Sequence, residues 1–230
     1  MKVRISFSKY GNMIYIGHLD TMRYFQKAFR RAELPIRYTT GFSAHQIMSF
    51  AYPLGVGMVG LHEYLDVEMD EGVSSEDIVN RLQKEMVSGF TINDAVKLND
   101  DAMNAMASVK AATYEIKHKE ENFAKEINAD TVQSFIMQPT IPYTKVTAKN
   151  SVEIDLKEHI YSLSFDNGSL MMQVDASSSG NLKPFTVLEE LASYNGISID
   201  TLDYQIIRHE VYTIDSDDRF ISLLEVGVTF

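Results

Sequence analysis

From Lys2 to Lys9 apolar and polar residues alternate, with Val3, Ile5 and Phe7 on one side and Lys2, Arg4, Ser6 and Ser8 on the other. A period of two predicts a half-buried strand. A turn at Tyr10–Asn12 follows, and from His18 to Ala32 the period becomes helical, with Met22, Phe25, Phe29 and Ala32 recurring at spacings of three and four. Arg23, Lys27, Arg30 and Arg31 run along their own track of the same helix. At about 100° per residue the two tracks face opposite ways, so one side packs and the other presents cations. Pro35 ends the helix. Ile36–Thr40, Ile47–Tyr52 and Glu63–Met69 read as strands, the last two joined by a glycine-rich connection from Pro53 to Gly60. Ser74 and Ser75 precede Glu76 and Asp77, which suit a first helical turn, and Ile78, Val79, Leu82 and Met86 supply its apolar face. Gly89 closes that helix and Phe90–Leu98 is a further strand.

The resulting order, βαββαβ, predicts an α+β ferredoxin-like sandwich with helices on one face of an antiparallel sheet. Residues 1–98 form this first domain, and 99–112, polar and small, form a linker. A second round occupies 113–215. Thr113–Lys119 is a strand, Thr131–Met137 a short helix ended by Pro139, and Tyr143–Thr147 another strand. Tyr161–Phe165 and Leu170–Val174 flank Asp166-Asn167-Gly168, a hairpin signal. Pro184 opens a helix through Tyr194, Gly196 stops it, and Tyr204–Ile214 closes the unit. With an added strand or arm at Val152–Leu156, this is a second ferredoxin-like unit matched in pattern but not in residues. Residues 216–230 remain as a C-terminal extension expected to dock on the body.

Charge changes this picture at one end of the chain. The net charge is −11, yet residues 1–60 hold eight cations (Lys2, Arg4, Lys9, Arg23, Lys27, Arg30, Arg31, Arg37) against Asp20 and Glu33, a local balance of +6. Such asymmetry suggests a face that meets an anion, with an even scatter of charge over the folded surface as the alternative. The 230 residues include no cysteine, which excludes disulfides, thiolate nucleophiles and cysteine-ligated clusters. Apolar runs fall far short of a bilayer span, and Lys2–Tyr10 is not patterned as a signal peptide, so no membrane association and a cytoplasmic location are expected.

Candidate chemistry concentrates between Gly17 and Gly57. His18 and Asp20 open the first helix, where amides and the helix dipole favour an anion; a capping role is the plainer alternative. His45 sits in a loop among basic residues and suits general acid–base work. Gly55-Val56-Gly57-Met58-Val59-Gly60 spells GxGxxG, but a strand follows where a dinucleotide site needs a helix. His62, Glu63 and Asp66 do not converge along a strand, so no metal is expected, nor any cofactor. Arg37 adds to the N-terminal cations. Lys183, at the end of the Ser177–Pro184 loop, is a further phosphate candidate before the last helix.

Gly17-His18-Leu19-Asp20, Arg30-Arg31-Ala32, Leu34-Pro35, Gly41-Phe42, His45, Ser49-Phe50, Pro53-Leu54, and Glu63 with Asp66 together resemble the radical-SAM-linked family of uncharacterised bacterial proteins. Gly180-Asn181-Leu182-Lys183-Pro184 and Arg208 with Glu210 and Tyr212 are similar to its later signals. The resemblance implies a cobalamin-binding type of radical SAM protein as partner. Lacking cysteine, this chain is then the companion rather than the radical enzyme. The combined expectation is a non-catalytic companion that binds RNA or another phosphorylated substrate through Arg23, Lys27, Arg30, Arg31, Arg37 and Lys183. A metal-independent ribonuclease or transferase using His18 or His45, and a protein–protein adaptor without nucleic acid, are the alternatives.

Overall fold

The structure is a computed structural model and describes residues 1–120, 123, 126–146 and 151–230. The expected strand end at Thr147 lies outside the described residues. The chain divides into two compact units, 1–110 with 208–230, and 111–207. Both mix α-helices with mostly antiparallel sheet, and the described residues hold five α-helices. None of these helices is long and apolar enough to cross a membrane.

In the first unit β1 (Lys2–Lys9) is central, antiparallel both to β3 (Val59–Glu68) and to β4 (Phe90–Leu98). β2 (Met48–Phe50) pairs antiparallel with β3, whose other neighbour is the closing strand, β10 (Tyr204–Ile214); β11 (Phe220–Ser222) pairs with β10. The helices are α1 (His18–Arg31), α2 (Ser75–Lys84) and the single turn α3 (Ala105–Ser108), which lies in the expected linker. Ser74 caps α2 in a reciprocal capping box with Asp77. Gly89 does not close α2, which ends at Lys84; its φ of +102° instead brings the chain against Met13 and the Tyr10 carbonyl. α1 buries Thr21, Phe25, Ala28 and Phe29. Phe25 is the hub of an aromatic core, 4.7 Å from Phe7, 5.6 Å from Phe90 and 5.8 Å from Phe50 between ring centres.

Two expectations need correction here. Ile36–Thr40 is no strand; its contacts are isolated bridges, Ile36 with Met69 and Tyr38 with Gln46, which shape residues 37–47 into a narrow hairpin. Nor is β1 half-exposed, since Arg4 and Ser6 are fully buried. Arg4 is held by Asp66, at 2.7 and 3.0 Å, and by the Leu223 carbonyl at 2.9 Å. The C-terminal residues therefore cover the face that alternation assigned to solvent, and Val228 bridges to Lys97 on β4.

In the second unit β9 (Ser169–Asp175) lies between β5 (Ala111–His118) and β8 (Ile160–Asp166), antiparallel to both. Asn167 and Gly168, with φ of 49° and 76°, make the tight β8–β9 turn. β6 (Pro142–Val146) does not join that sheet but pairs with β7 (Ser151–Asp155) in a separate two-stranded ribbon. α4 (Ala129–Ile136) and α5 (Pro184–Tyr194) meet through Phe135 and Tyr194, whose ring centres are 5.5 Å apart.

Candidate functional site

α1 shows how a helix can carry two roles. Its inward track is filled by Phe25 and Phe29, which leaves Arg23, Lys27 and Arg30 exposed. Among the described residues neither Lys27 nor Arg30 has a carboxylate partner, and Arg23 reaches only Asp20, at 3.4 Å with both side chains largely in water. The other expected cations are committed elsewhere. Arg31 binds the carboxylate and carbonyl of Glu85 at 2.7 and 3.1 Å, and Arg37 lies between Glu68 and Asp70 at 3.6 and 3.7 Å. Lys183 belongs to the second unit, at the start of α5.

The 37–47 hairpin runs beside the exposed face of α1. Gln26 and Arg30 from the helix, and Tyr38, Ala44, His45 and Gln46 from the hairpin, line one pocket. Gln46 joins the elements, its amide nitrogen donating to the Gln26 carbonyl at 3.1 Å and to the Tyr38 hydroxyl at 3.3 Å. His45 is exposed, with Nδ1 3.1 Å from the Thr39 hydroxyl. At the hairpin tip Phe42 is fully exposed, and Tyr38 is nearly half-exposed. An unburied Phe is a free stacking surface.

His18 faces a different pocket, with Lys9, Thr21, Phe50 and Glu63. Neither His18 nor Asp20 caps α1; the N-cap is Gly17, whose carbonyl accepts from the Thr21 amide and hydroxyl at 3.0 Å each. The His18 ring stands edge-on to Phe50, 5.2 Å between centres. Burial, and then the charge of Lys9, push its pKa below the ordinary histidine value, so the ring is neutral at pH 7.

Behind His18 lies an ionic cluster built on Lys9, Glu63 and Arg208. Lys9 continues the inward face of Val3, Ile5 and Phe7 and is buried, its ammonium donating to the Ile16 carbonyl at 2.7 Å. Arg208 donates from Nε to Glu63 at 2.8 Å, makes a second, shorter bond to that carboxylate and another to the Tyr52 carbonyl, and stacks 4.5 Å above the Tyr52 ring. Burial lowers the Lys9 pKa, Glu63 opposes that and Arg208 adds to it. Two cations over one carboxylate would attract an anion, but the free volume beside them is about 10 Å³, barely one water. This cluster anchors α1 and the sheet. Gly60 is required by it, because a Cβ there would sit 2.5 Å from Glu63 Oε1. Within the GxGxxG run, Gly60 thus serves close packing in β3, whereas Gly57 supplies a φ of +85° at the turn before it. No group of metal-ligating side chains occurs among the described residues.

Comparison with known proteins adds a family. No curated protein matches the chain. Among solved structures, one chain from an X-ray crystal structure of a heavy metal efflux pump, crystal form II, is similar over 93% of this chain and 28% of its own length, at 9% identity and a TM-score of 0.25, too low to carry any argument. The model of the DUF2344 family, described as an uncharacterised protein conserved in bacteria, matches residues 2–184. This chain, with its cationic helix, aromatic-tipped hairpin and buried Lys9–Glu63–Arg208 cluster, belongs to the DUF2344 family.

Proposed function

We propose that the first unit binds RNA, or another phosphorylated substrate, on the exposed face of α1 and the 37–47 hairpin, and that the chain is a non-catalytic companion of a radical SAM enzyme. The observation that carries the reading is the grouping of Arg30 and His45 in one pocket, on a helix face that also exposes Arg23 and Lys27. Cations supply affinity for phosphates without regard to sequence, while aromatic faces stack on splayed bases. The order β4–β1–β3, with β2 and β10 both pairing to β3 beyond it and α1 and α2 as crossovers, supports a ferredoxin-like reading of this unit. The association with a radical SAM protein rests on the sequence resemblance alone.

The test is binding of the nuclease-treated, repurified chain to single-stranded RNA. Changing Arg23, Lys27 and Arg30 together to Ala is expected to weaken it at least tenfold, and Arg31→Ala to leave it nearly intact, because Arg31 is already paired. A wild-type chain without RNA affinity, or a triple variant with full affinity, defeats the reading. Proteins retained by the tagged chain from a lysate identify the companion enzyme.

A second reading, a metal-independent ribonuclease, has one observation behind it: His18 is held neutral and so is able to accept a proton. RNA cleavage by the wild type that disappears in His18→Ala would favour it. Intact RNA after prolonged incubation would remove it.

A further inference from the structure

The second unit holds a pocket that the RNA reading does not use. It opens between the β6–β7 ribbon and the 177–183 loop that leads into α5, with Tyr143, Lys145, His159, Asn181, Lys183 and Thr186 among its lining. Its free volume is about 150 Å³, enough for several waters or one small anion. In a chain of net charge −11, this wall contains two lysines and, among the described residues, no carboxylate. Among the described residues neither lysine is in an ion pair; Lys145 is steadied over the loop by donating to the Gly180 carbonyl at 3.2 Å.

His159 is fixed from behind. Its Nδ1 lies 3.0 Å from Oδ2 of the buried Asp175, whose other oxygen accepts from the Ser177 amide at 2.8 Å. Hydrogen bonds from Ser177 and from His159, together with the charge of His159, hold the Asp175 carboxyl below its usual range against the opposing effect of burial. Asp175 is therefore ionised at neutral pH and accepts a hydrogen bond from Nδ1 of His159. With Nδ1 committed, Nε2 is the nitrogen left for the pocket. The arrangement depends on Gly180, where a Cβ would fall 1.9 Å from Asp175 Oδ2. The titratable groups beside the ring are Asp175 from β9, Tyr143 and Lys145 from β6 and Lys183 from the loop, and Tyr161 from β8 lies near Asp175. α5 has Pro184 at its first turn and no side-chain cap, so its dipole adds to the positive field.

We propose that this pocket is a phosphate-binding site, in which Lys145 and Lys183 pair with phosphate oxygens and His159 hydrogen-bonds a third through Nε2. Two ammonium groups and an imidazole from three segments suit a tetrahedral phosphate better than a planar carboxylate. The phosphate could be free or the terminal group of a nucleotide, and the experiment separates these.

Inorganic phosphate and cytidine 5′-monophosphate are each titrated calorimetrically into the full chain at pH 6. The comparison set is wild type, Lys145→Ala with Lys183→Ala, His159→Asn, and Lys117→Ala as a control in the same unit, where Lys117 is paired with Glu115. Saturable binding near the millimolar range is expected, weakened roughly tenfold or more in the lysine double variant and about threefold to tenfold in His159→Asn, with the control unchanged. Binding of both ligands assigns recognition to the phosphate group; binding of the nucleotide alone assigns it to the ester. Absence of saturable binding by either ligand, or a double variant that binds as tightly as wild type, overturns the proposal. Arg23, Lys27 and Arg30 take no part, so loss of the RNA reading leaves this one standing and the reverse holds too.

Discussion

Replacing Arg208 by Met removes a guanidinium that makes two bonds to Glu63 and one to the Tyr52 carbonyl, all deep in the first unit. Both partners are almost fully buried, so the Glu63 carboxylate would be left with Lys9 as its nearest opposing charge. At an effective dielectric of about 20, two unit charges about 4 Å apart attract by roughly 4 kcal/mol. Measured losses for breaking a buried pair from one side run to about 3–5 kcal/mol, because the orphaned charge keeps its desolvation cost. Glu63→Gln should cost a similar amount, since it leaves Lys9 and Arg208 facing each other without their shared counter-charge. The double variant should lose less than the sum, with a coupling of about 1–3 kcal/mol. Two compact units need not unfold as one, so the assay is native-state hydrogen exchange at the β1 and β3 amides, read by mass spectrometry. Arg208→Met should speed exchange there by roughly two to three powers of ten. Single losses below about 1 kcal/mol, or losses that simply add, would refute the assignment of this cluster as the anchor of the sheet.

Other outcomes follow from single contacts. Phe42→Ala should leave thermal stability unchanged and weaken RNA binding by about 1–3 kcal/mol, since a free aromatic face contributes stacking and no packing; equal affinity in a filter-binding titration would remove Phe42 from the interface. His18 has a folded-state pKa below the unfolded value of about 6.5, so the unfolded chain binds more protons in the window just beneath it. Its contribution is complete above that pH and is lost as pH falls through the folded value, and His18→Phe should flatten that part of a stability-against-pH curve. Gly180→Ala should cost about 1–3 kcal/mol by pushing Asp175 out of its place beside His159, visible as a change in the His159 ring resonances.

Local signals carried much of the fold. The α1 periodicity, the Ser74–Asp77 capping box and the Asn167-Gly168 turn are each written within a few residues, and each element lies where that writing puts it. What escaped depends on partners far along the chain. Arg4 is buried because Asp66 and Leu223 meet it, and Arg208 finds Glu63 across 145 positions. Arg31 and Arg37 looked as available as Arg30 until Glu85, Glu68 and Asp70 were placed beside them. Lys9 did leave a sign: it falls on the same alternation as Val3, Ile5 and Phe7, and a lysine in an inward register implies a buried partner. The β6–β7 ribbon left none, since a strand's own residues do not say which sheet it joins.

The central claim is that Arg23, Lys27 and Arg30 meet phosphates. It is tested most directly by measuring affinity for single-stranded RNA across a range of salt concentrations, for wild type and for the triple alanine variant. Each phosphate contact on a single strand contributes about 0.7 to the slope of log K against log salt, so losing three should flatten that slope by about 2. A wild-type slope steeper than the variant's by that amount is the predicted result. Equal slopes in the two proteins would contradict the account, because the helix face would then carry its charge to no phosphate.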